Sequence, residues 1–198
     1  MEKIMNIRIT FIEPILGTWP ADPEVASKYI ASKAPDAGTI KDEIAATSVE
    51  EVTEKSMTIF PRGEGGPVLY DYQVKGFFKD ACSMLSRVKD TKSSGVKAYK
   101  KVIDGLIFPE PRMIPLTLAG DIGNCQRPLR AQTAQGERVS LANSEELPAG
   151  TTAEFTVRLL DQNHEPLILE WLEYGKLRGL GQWRNSGKGR FTFEVLPD

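Results

Sequence analysis

The sequence predicts an α+β fold with a ferredoxin-like (RRM-like) core, on three observations. Segments that alternate apolar with polar residues stand near both ends of the 198-residue chain. Amphipathic helical stretches separate them. The elements follow one another as strand–helix–strand–strand–helix–strand, with additions between them. The length suits one sizeable core. Residues 1–198 are therefore read as a single domain, carrying an acidic helical insertion at 13–55 and an extended, hairpin-bearing insertion at 109–150.

Each element has its own signal. Asn6-Ile7-Arg8-Ile9-Thr10-Phe11-Ile12 alternates with period two and forms the first strand; Pro14, Gly17 and Pro20 then break it. Asp22-Pro23-Glu24 is a helix start, the aspartate as N-cap and the proline at the first helical position, for a helix reaching about Lys33. A second acidic helix covers Ile40 to about Lys55. Ser56–Phe60 is a strand closed by the turn-rich Pro61-Arg62-Gly63-Glu64-Gly65-Gly66-Pro67, and Val68-Leu69-Tyr70 is a short extended piece.

From Gln73 to Val88 the apolar residues Val74, Phe77, Phe78, Ala81, Cys82, Leu85 and Val88 recur at helical spacing, while Lys75, Lys79 and Arg87 fall off that stripe. Thr91–Gly95 reads as a flexible connector, followed by a helix over Lys97–Ile103. Proline and glycine punctuate Pro109–Pro128, leaving Met113–Leu118 extended. Strands at Glu137–Leu141 and Thr152–Leu160 flank a turn at Pro148-Ala149-Gly150. A helix at Leu167–Leu177 and a strand at Phe191–Leu196 complete the chain, which shows no internal repeat.

No apolar run approaches the roughly 20 residues that span a bilayer, and the N-terminus opens into a strand pattern without a signal-peptide core. The expected location is cytoplasmic, with no membrane partner. Two cysteines occur, Cys82 in an apolar helical pattern and Cys125 in a loop; neither has metal-ligand spacing, and no cofactor or metal is expected. A formal net charge of −2 argues against a generic nucleic-acid binder, but the charge is unevenly spread. Glu13–Glu54 holds nine acidic residues against three lysines, whereas Lys75–Lys101 holds eight basic residues against Asp80 and Asp90. Such clustering suits one electropositive face, and it also suits ordinary solvated helix faces.

The most informative segment is Gly179-Leu180-Gly181-Gln182-Trp183-Arg184-Asn185-Ser186-Gly187-Lys188-Gly189-Arg190, two Gly-x-Gly pairs leading into the last strand. From Tyr174 to Arg190 there are five basic residues and no acidic one. Glycines permit close backbone approach and positive φ, and consecutive amides make an anion-binding concavity. A plain hairpin turn that needs positive φ explains the same glycines. Rossmann and P-loop motifs place a helix after the glycines, where this chain has a strand.

The segment resembles the C-terminal glycine-rich loop of the CRISPR-associated RAMP superfamily, with Leu180 as its hydrophobic residue and Arg184 as its basic one. Tyr72-Gln73-Val74-Lys75-Gly76-Phe77-Phe78-Lys79 looks like the motif that opens a helix in the backbone subunits of that family. Lys75 takes the basic position before the glycine, Lys79 replaces an arginine, and Tyr72 and Gln73 stand where hydroxyl residues are usual. Arg127-Pro128-Leu129-Arg130-Ala131, followed by Val139-Ser140-Leu141-Ala142, resembles the family's β-hairpin thumb. Glu145–Phe155 resembles the run, with its glutamate and proline–glycine turn, that leads into an alternating strand.

The resemblance implies a guide-RNA-binding subunit of a ribonucleoprotein effector in antiviral defence, its partners being guide RNA, other effector subunits and copies of itself. Phosphate neutralisation and base stacking are the terms such a site needs. Lys75, Lys79, Arg127, Arg130, Arg178, Arg184 and Lys188 are candidates for the first, helped by the loop backbone at Gly179, Gly181, Gly187 and Gly189. Trp183 is the candidate for the second, unless it folds back onto the core. Acid–base cleavage of RNA usually recruits histidine, and the lone His164 sits in a polar turn. Asp22 and Asp36 lie where some backbone subunits carry a cleaving aspartate, but Asp22 already serves as an N-cap. No catalytic residue is assigned. Two alternatives stay open: an endoribonuclease that matures guide RNA, and a stand-alone subunit mimic acting through protein–protein contacts.

Overall fold

The computed structural model describes residues 2–21, 57–133 and 136–197, giving the backbone alone within 129–140. The helices expected at 22–33 and 40–55 lie outside the described residues. The fold is mixed α and β, with three α-helices and two sheets among the described residues. It divides into two compact units, one of Met1–Ile15, Pro61–Asp121 and Leu147–Asp198, the other of Leu16–Phe60 and Ile122–Glu146.

In the first unit, period-two patterning in β1 (Lys3–Phe11) turns Met5, Ile7, Ile9 and Phe11 into the core, with Asn6, Arg8 and Thr10 on the opposite face. β11 (Thr152–Leu159) lies antiparallel on one side of β1, Ile7 opposite Phe155. β12 (Phe191–Leu196) lies antiparallel on the other, Ile9 opposite Phe193. Beyond β11 come β7 (Ile107–Glu110) and β8 (Met113–Thr117), both antiparallel to it, then β6 (Gly66–Tyr70) and β5 (Arg62–Gly63).

Helix α1 (Asp71–Leu85) follows β6 directly, α2 (Tyr99–Leu106) precedes β7, and α3 (Glu165–Arg178) joins β11 to the last loop. Phe77 of α1 meets Phe191 with ring centroids 5.2 Å apart, and Phe78 meets Trp171 of α3 at 5.5 Å. Phe191 in turn packs edge-on against Phe11. These contacts set α1 and α3 on the core face of the sheet.

Several boundaries differ from the sequence reading, each for a physical reason. α1 begins before Gln73 because the Gln73 Oε1 accepts the Tyr70 N–H at 2.7 Å, capping an earlier turn. It ends at Leu85 because tighter bonds from Arg87 N to Met84 O and Val88 N to Leu85 O close it, leaving Val88 exposed. Residues Thr91–Gly95 are anchored, not a loose connector. Glu170 of α3 accepts the backbone N–H groups of Lys92 and Ser93 at 2.6 and 3.0 Å, and the buried Ser93 Oγ accepts Trp171 Nε1–H at 2.9 Å.

In the second unit, β9 (Gly123–Thr133) and β10 (Gly136–Leu147) form a long antiparallel hairpin, Gly136 opposite Thr133 and Glu146 opposite Gly123. The sheet is completed by β2 (Ile15–Leu16), β3 (Trp19–Pro20) and β4 (Thr58–Ile59), in the order β2–β10–β4–β3. β9 crosses a region that proline and glycine mark as broken. As the edge partner of β10 it tolerates Pro128, whose missing N–H costs no ladder bond on an outer side. Cys125 therefore sits in a strand, opposite Ser144, not in a loop.

Candidate nucleic-acid interface

The loop between α3 and β12 is shaped by its glycines. Gly179, Gly181, Gly187 and Gly189 have φ of 77°, 82°, 93° and 71°, all in the left-handed region. The two outer pairs cross: Leu180 N–H donates to Gly189 O at 2.9 Å, and Gly189 N–H donates to Pro14 O at 2.9 Å. A Cβ on Gly179 would stand 2.5 Å from the Gly189 carbonyl carbon, and one on Gly189 would run into the Leu180 carbonyl oxygen. Backbone packing thus accounts for this glycine pair by itself. Between the crossing points, Trp183 takes φ 54° and is 42% exposed, ahead of a short 3-10 turn over Arg184–Ser186.

The loop docks on α1 through one carboxylate. Asp80 Oδ2 accepts Arg178 Nε–H and Arg184 Nη1–H, each at 2.8 Å, and Arg178 Nη1 also donates to Asn185 Oδ1 at 2.8 Å. Hydrogen bonding to Asp80 raises the Arg178 pKa further, so its charge is fixed. Two guanidiniums sharing one carboxylate leave this cluster net positive. Lys79, the residue before Asp80, pairs with Asp104 of α2 at 2.6 Å. Lys75 donates to the Asp104 carbonyl at 3.3 Å and holds its ammonium 4.5 Å from the Phe108 ring centroid. Partial burial there lowers the Lys75 pKa, against the pull of Asp104.

The structure therefore brings Lys75, Lys79, Arg178, Arg184 and the four glycines onto the helix side of one unit, with Lys188 half-buried in the same loop. Arg127 and Arg130 belong to the other unit. Arg127 is 5% exposed and donates from Nη1 to Ser144 Oγ at 3.0 Å, which makes it a brace inside the hairpin sheet. Arg130 stands on β9 opposite Val139, its side chain outside the described residues.

The start of α1 departs from a simple phosphate site. Tyr70 N–H is capped by Gln73, Asp71 N–H donates to Arg112 O at 3.1 Å, and Tyr72 N–H donates to Asp71 Oδ1 at 2.8 Å. These amides are taken, and a carboxylate stands among them. In the same place Tyr70 and Tyr72 stack, centroids 5.3 Å apart and planes 15° apart, beside the guanidinium of Arg112. Sequence reasoning missed this group. Its only local signal is the spacing of two tyrosines across a strand end and a helix start.

Among the described residues, no group of three or more His, Cys, Asp or Glu is placed to hold a metal ion, and no helix is long and apolar enough to cross a membrane.

No family model matches the sequence, and no curated protein matches it. Solved structures do. A chain of the type III-B Cmr-beta complex bound to cognate target RNA, determined by cryo-electron microscopy, aligns with 99% of this chain at 9% identity and a TM-score of 0.51. This chain spans 59% of that one's length. A chain of a type IV-B CRISPR complex aligns with 98% of this chain, over 90% of its own length, at 11% identity and a TM-score of 0.48. The likeness to the first is one of fold: the chain shares its architecture with a chain of a CRISPR effector complex.

Proposed function

We propose that this protein is a RAMP-superfamily subunit of a CRISPR-type ribonucleoprotein effector that grips the sugar–phosphate backbone of guide RNA. On this reading β1–α1–β7–β11–α3–β12 is a ferredoxin-like core; the antiparallel neighbours β12–β1–β11–β7 support it, since they follow that fold's strand order. The observation that carries the functional reading is the docking of the glycine loop on α1 through Asp80. It gathers cations from two distant stretches of sequence beside a loop whose backbone a polyanion can approach.

Lys75, Lys79 and Lys188 neutralise phosphates, together with the surplus charge of Arg178 and Arg184, beside the loop that Gly179, Gly181, Gly187 and Gly189 shape. Trp183 offers an exposed ring for a base. In the hairpin, Arg130 is the proposed RNA contact, and Arg127 braces the hairpin sheet through Ser144. The grip is tolerant of sequence, acts in the cytoplasm, and repeats as copies assemble along the RNA beside other effector subunits.

The test is fluorescence anisotropy with short single-stranded RNAs of different sequence across a salt series. Lys188→Glu should weaken binding to all of them alike and reduce the slope of log affinity against log salt by about one. RNA should also drive ordered oligomers in size-exclusion chromatography. Absence of binding at low salt, or binding indifferent to Lys188→Glu, overturns the proposal.

A further inference from the structure

We infer that Tyr70, Tyr72 and Arg112 form a stacking subsite for one unpaired base of single-stranded RNA, an inference that rests on the RNA-binding reading above. The tyrosine rings are already parallel, 5.3 Å apart between centroids. Tyr72 is 45% exposed and the Arg112 side chain 67% exposed, so an aromatic surface is presented to solvent. The guanidinium carbon of Arg112 stands 5.5 Å from the Tyr70 centroid and 5.3 Å from that of Tyr72. A cation capping the outer face of one ring would lie much farther from the other. Equal distances put Arg112 astride the pair, where it braces both rings without covering either outer face.

The group is held from several directions. Tyr70 pairs with Met113 between β6 and β8, and the Asp71 carboxylate accepts both Tyr72 N–H and Arg112 Nη1–H, at 2.8 and 2.6 Å. Preorganisation of this kind lowers the ordering cost of a ligand. The chemistry selects a ring over a phosphate. The amides of Tyr70, Asp71 and Tyr72 are engaged, and the Arg112 charge is already paired with the Asp71 carboxylate. A base has a π-face whatever its identity, so stacking is sequence-tolerant.

Position adds direction. Tyr72, Lys75 and Lys79 follow one another at helical spacings of three and four, which makes them neighbours along α1. A strand stacked on Tyr72 passes the two lysines within about 10 Å along the helix axis.

The experiment compares wild-type protein with Tyr72→Leu and Tyr72→Phe, using a short single-stranded RNA and the same strand carrying abasic positions. Tyr72→Leu should lose about five- to tenfold in affinity, Tyr72→Phe should keep it, and the salt slope should not change, because no phosphate contact is removed. Wild-type protein should bind the abasic strand at least as weakly as Tyr72→Leu binds the intact one. This arm needs no variant and guards against a substitution that fails to fold. If Tyr72→Leu binds like wild type while Lys188→Glu is weakened, the subsite is wrong and the RNA-binding reading stands. If wild-type protein binds neither strand, both fall. If Tyr72→Leu disperses oligomers at unchanged RNA affinity, the platform receives another copy of the chain and the base-stacking assignment is overturned.

Discussion

Gly76 puts stability and the proposed RNA contact in opposition. It sits inside α1, and a Cβ built on it meets nothing within 4 Å. Neither close packing nor a positive φ calls for glycine there. Glycine in a helix interior is worse than alanine by about 0.8–1.0 kcal/mol. Gly76→Ala should therefore stabilise the protein by nearly that amount, raising the urea midpoint by about 0.4 M at a slope of about 2 kcal/mol/M. Trp171, fully buried against Phe78, provides a fluorescence signal for the unit concerned. Yet Gly76 lies on the helix stripe between Tyr72 and Lys79, where a bare backbone admits a sugar–phosphate chain. There the added methyl should cost about fivefold in RNA affinity, on the order of one hydrogen bond's net worth. Loss of stability would refute the open-space argument. Gain of stability with RNA affinity intact would refute close approach of RNA to α1 at this point.

Further outcomes follow from other contacts. Asp80→Ala removes the shared acceptor of Arg178 and Arg184. It should cost about 1–2 kcal/mol and speed tryptic cleavage at Arg184 and Lys188; an unchanged digestion rate would show that the loop does not need the clamp. Ser93→Ala strands Trp171 Nε1 and removes one donor to Glu170, for a loss of about 1–3 kcal/mol in chemical denaturation; a neutral result would mean that water replaces the hydroxyl. Burial pushes the Cys82 thiol pKa up. Its neutral form is favoured in the fold, so that stabilisation is complete below the ordinary thiol range and is lost as pH rises through the folded value. At neutral pH a thiol reagent should label Cys125 in native protein and reach Cys82 only after denaturation; labelling of both would place Cys82 nearer the surface.

Where burial is one-sided and local, the sequence was readable. β1, α1, α3 and β12 each repeat their apolar residues at the period of their own geometry, and each packs one face. β9 showed only through its likeness to a hairpin and not through periodicity, because an edge strand needs no buried alternation and can carry Pro128. The start of α1 was misplaced because its cap is a glutamine reaching back three residues, not a short polar side chain before the helix. Distant pairings were not legible at all. Asp80 holds Arg178 across 98 residues and Arg184 across 104, and Glu170 ties down Ser93 across 77. No local pattern separates an arginine braced in this way from one that faces a ligand. Arg127 makes the same point: it reads like Arg130 in sequence, but its guanidinium is buried on Ser144.

The electrostatics of the first unit decide which side of its sheet suits a polyanion. On the face opposite the helices, Arg8 is flanked by Glu154 at 2.7 Å and Glu194 at 3.0 Å. Arg158 likewise lies between Glu2 at 2.6 Å and Glu110 at 3.2 Å. Both arginines have their pKa raised, first by the hydrogen bond to one glutamate, so these charges stay fixed while carboxylates outnumber guanidiniums in each cluster. A phosphate brought to that face meets a net negative ladder. On the helix side the ratio is inverted at Asp80, which faces two guanidiniums, and nearby Lys79 pairs with the Asp104 carboxylate while Lys75 donates to the Asp104 backbone carbonyl. A sheet-face mode of RNA binding is therefore disfavoured by its own side chains. The same fold offers its positive surplus where the glycine loop and α1 meet, and that is the side on which the proposed RNA path runs.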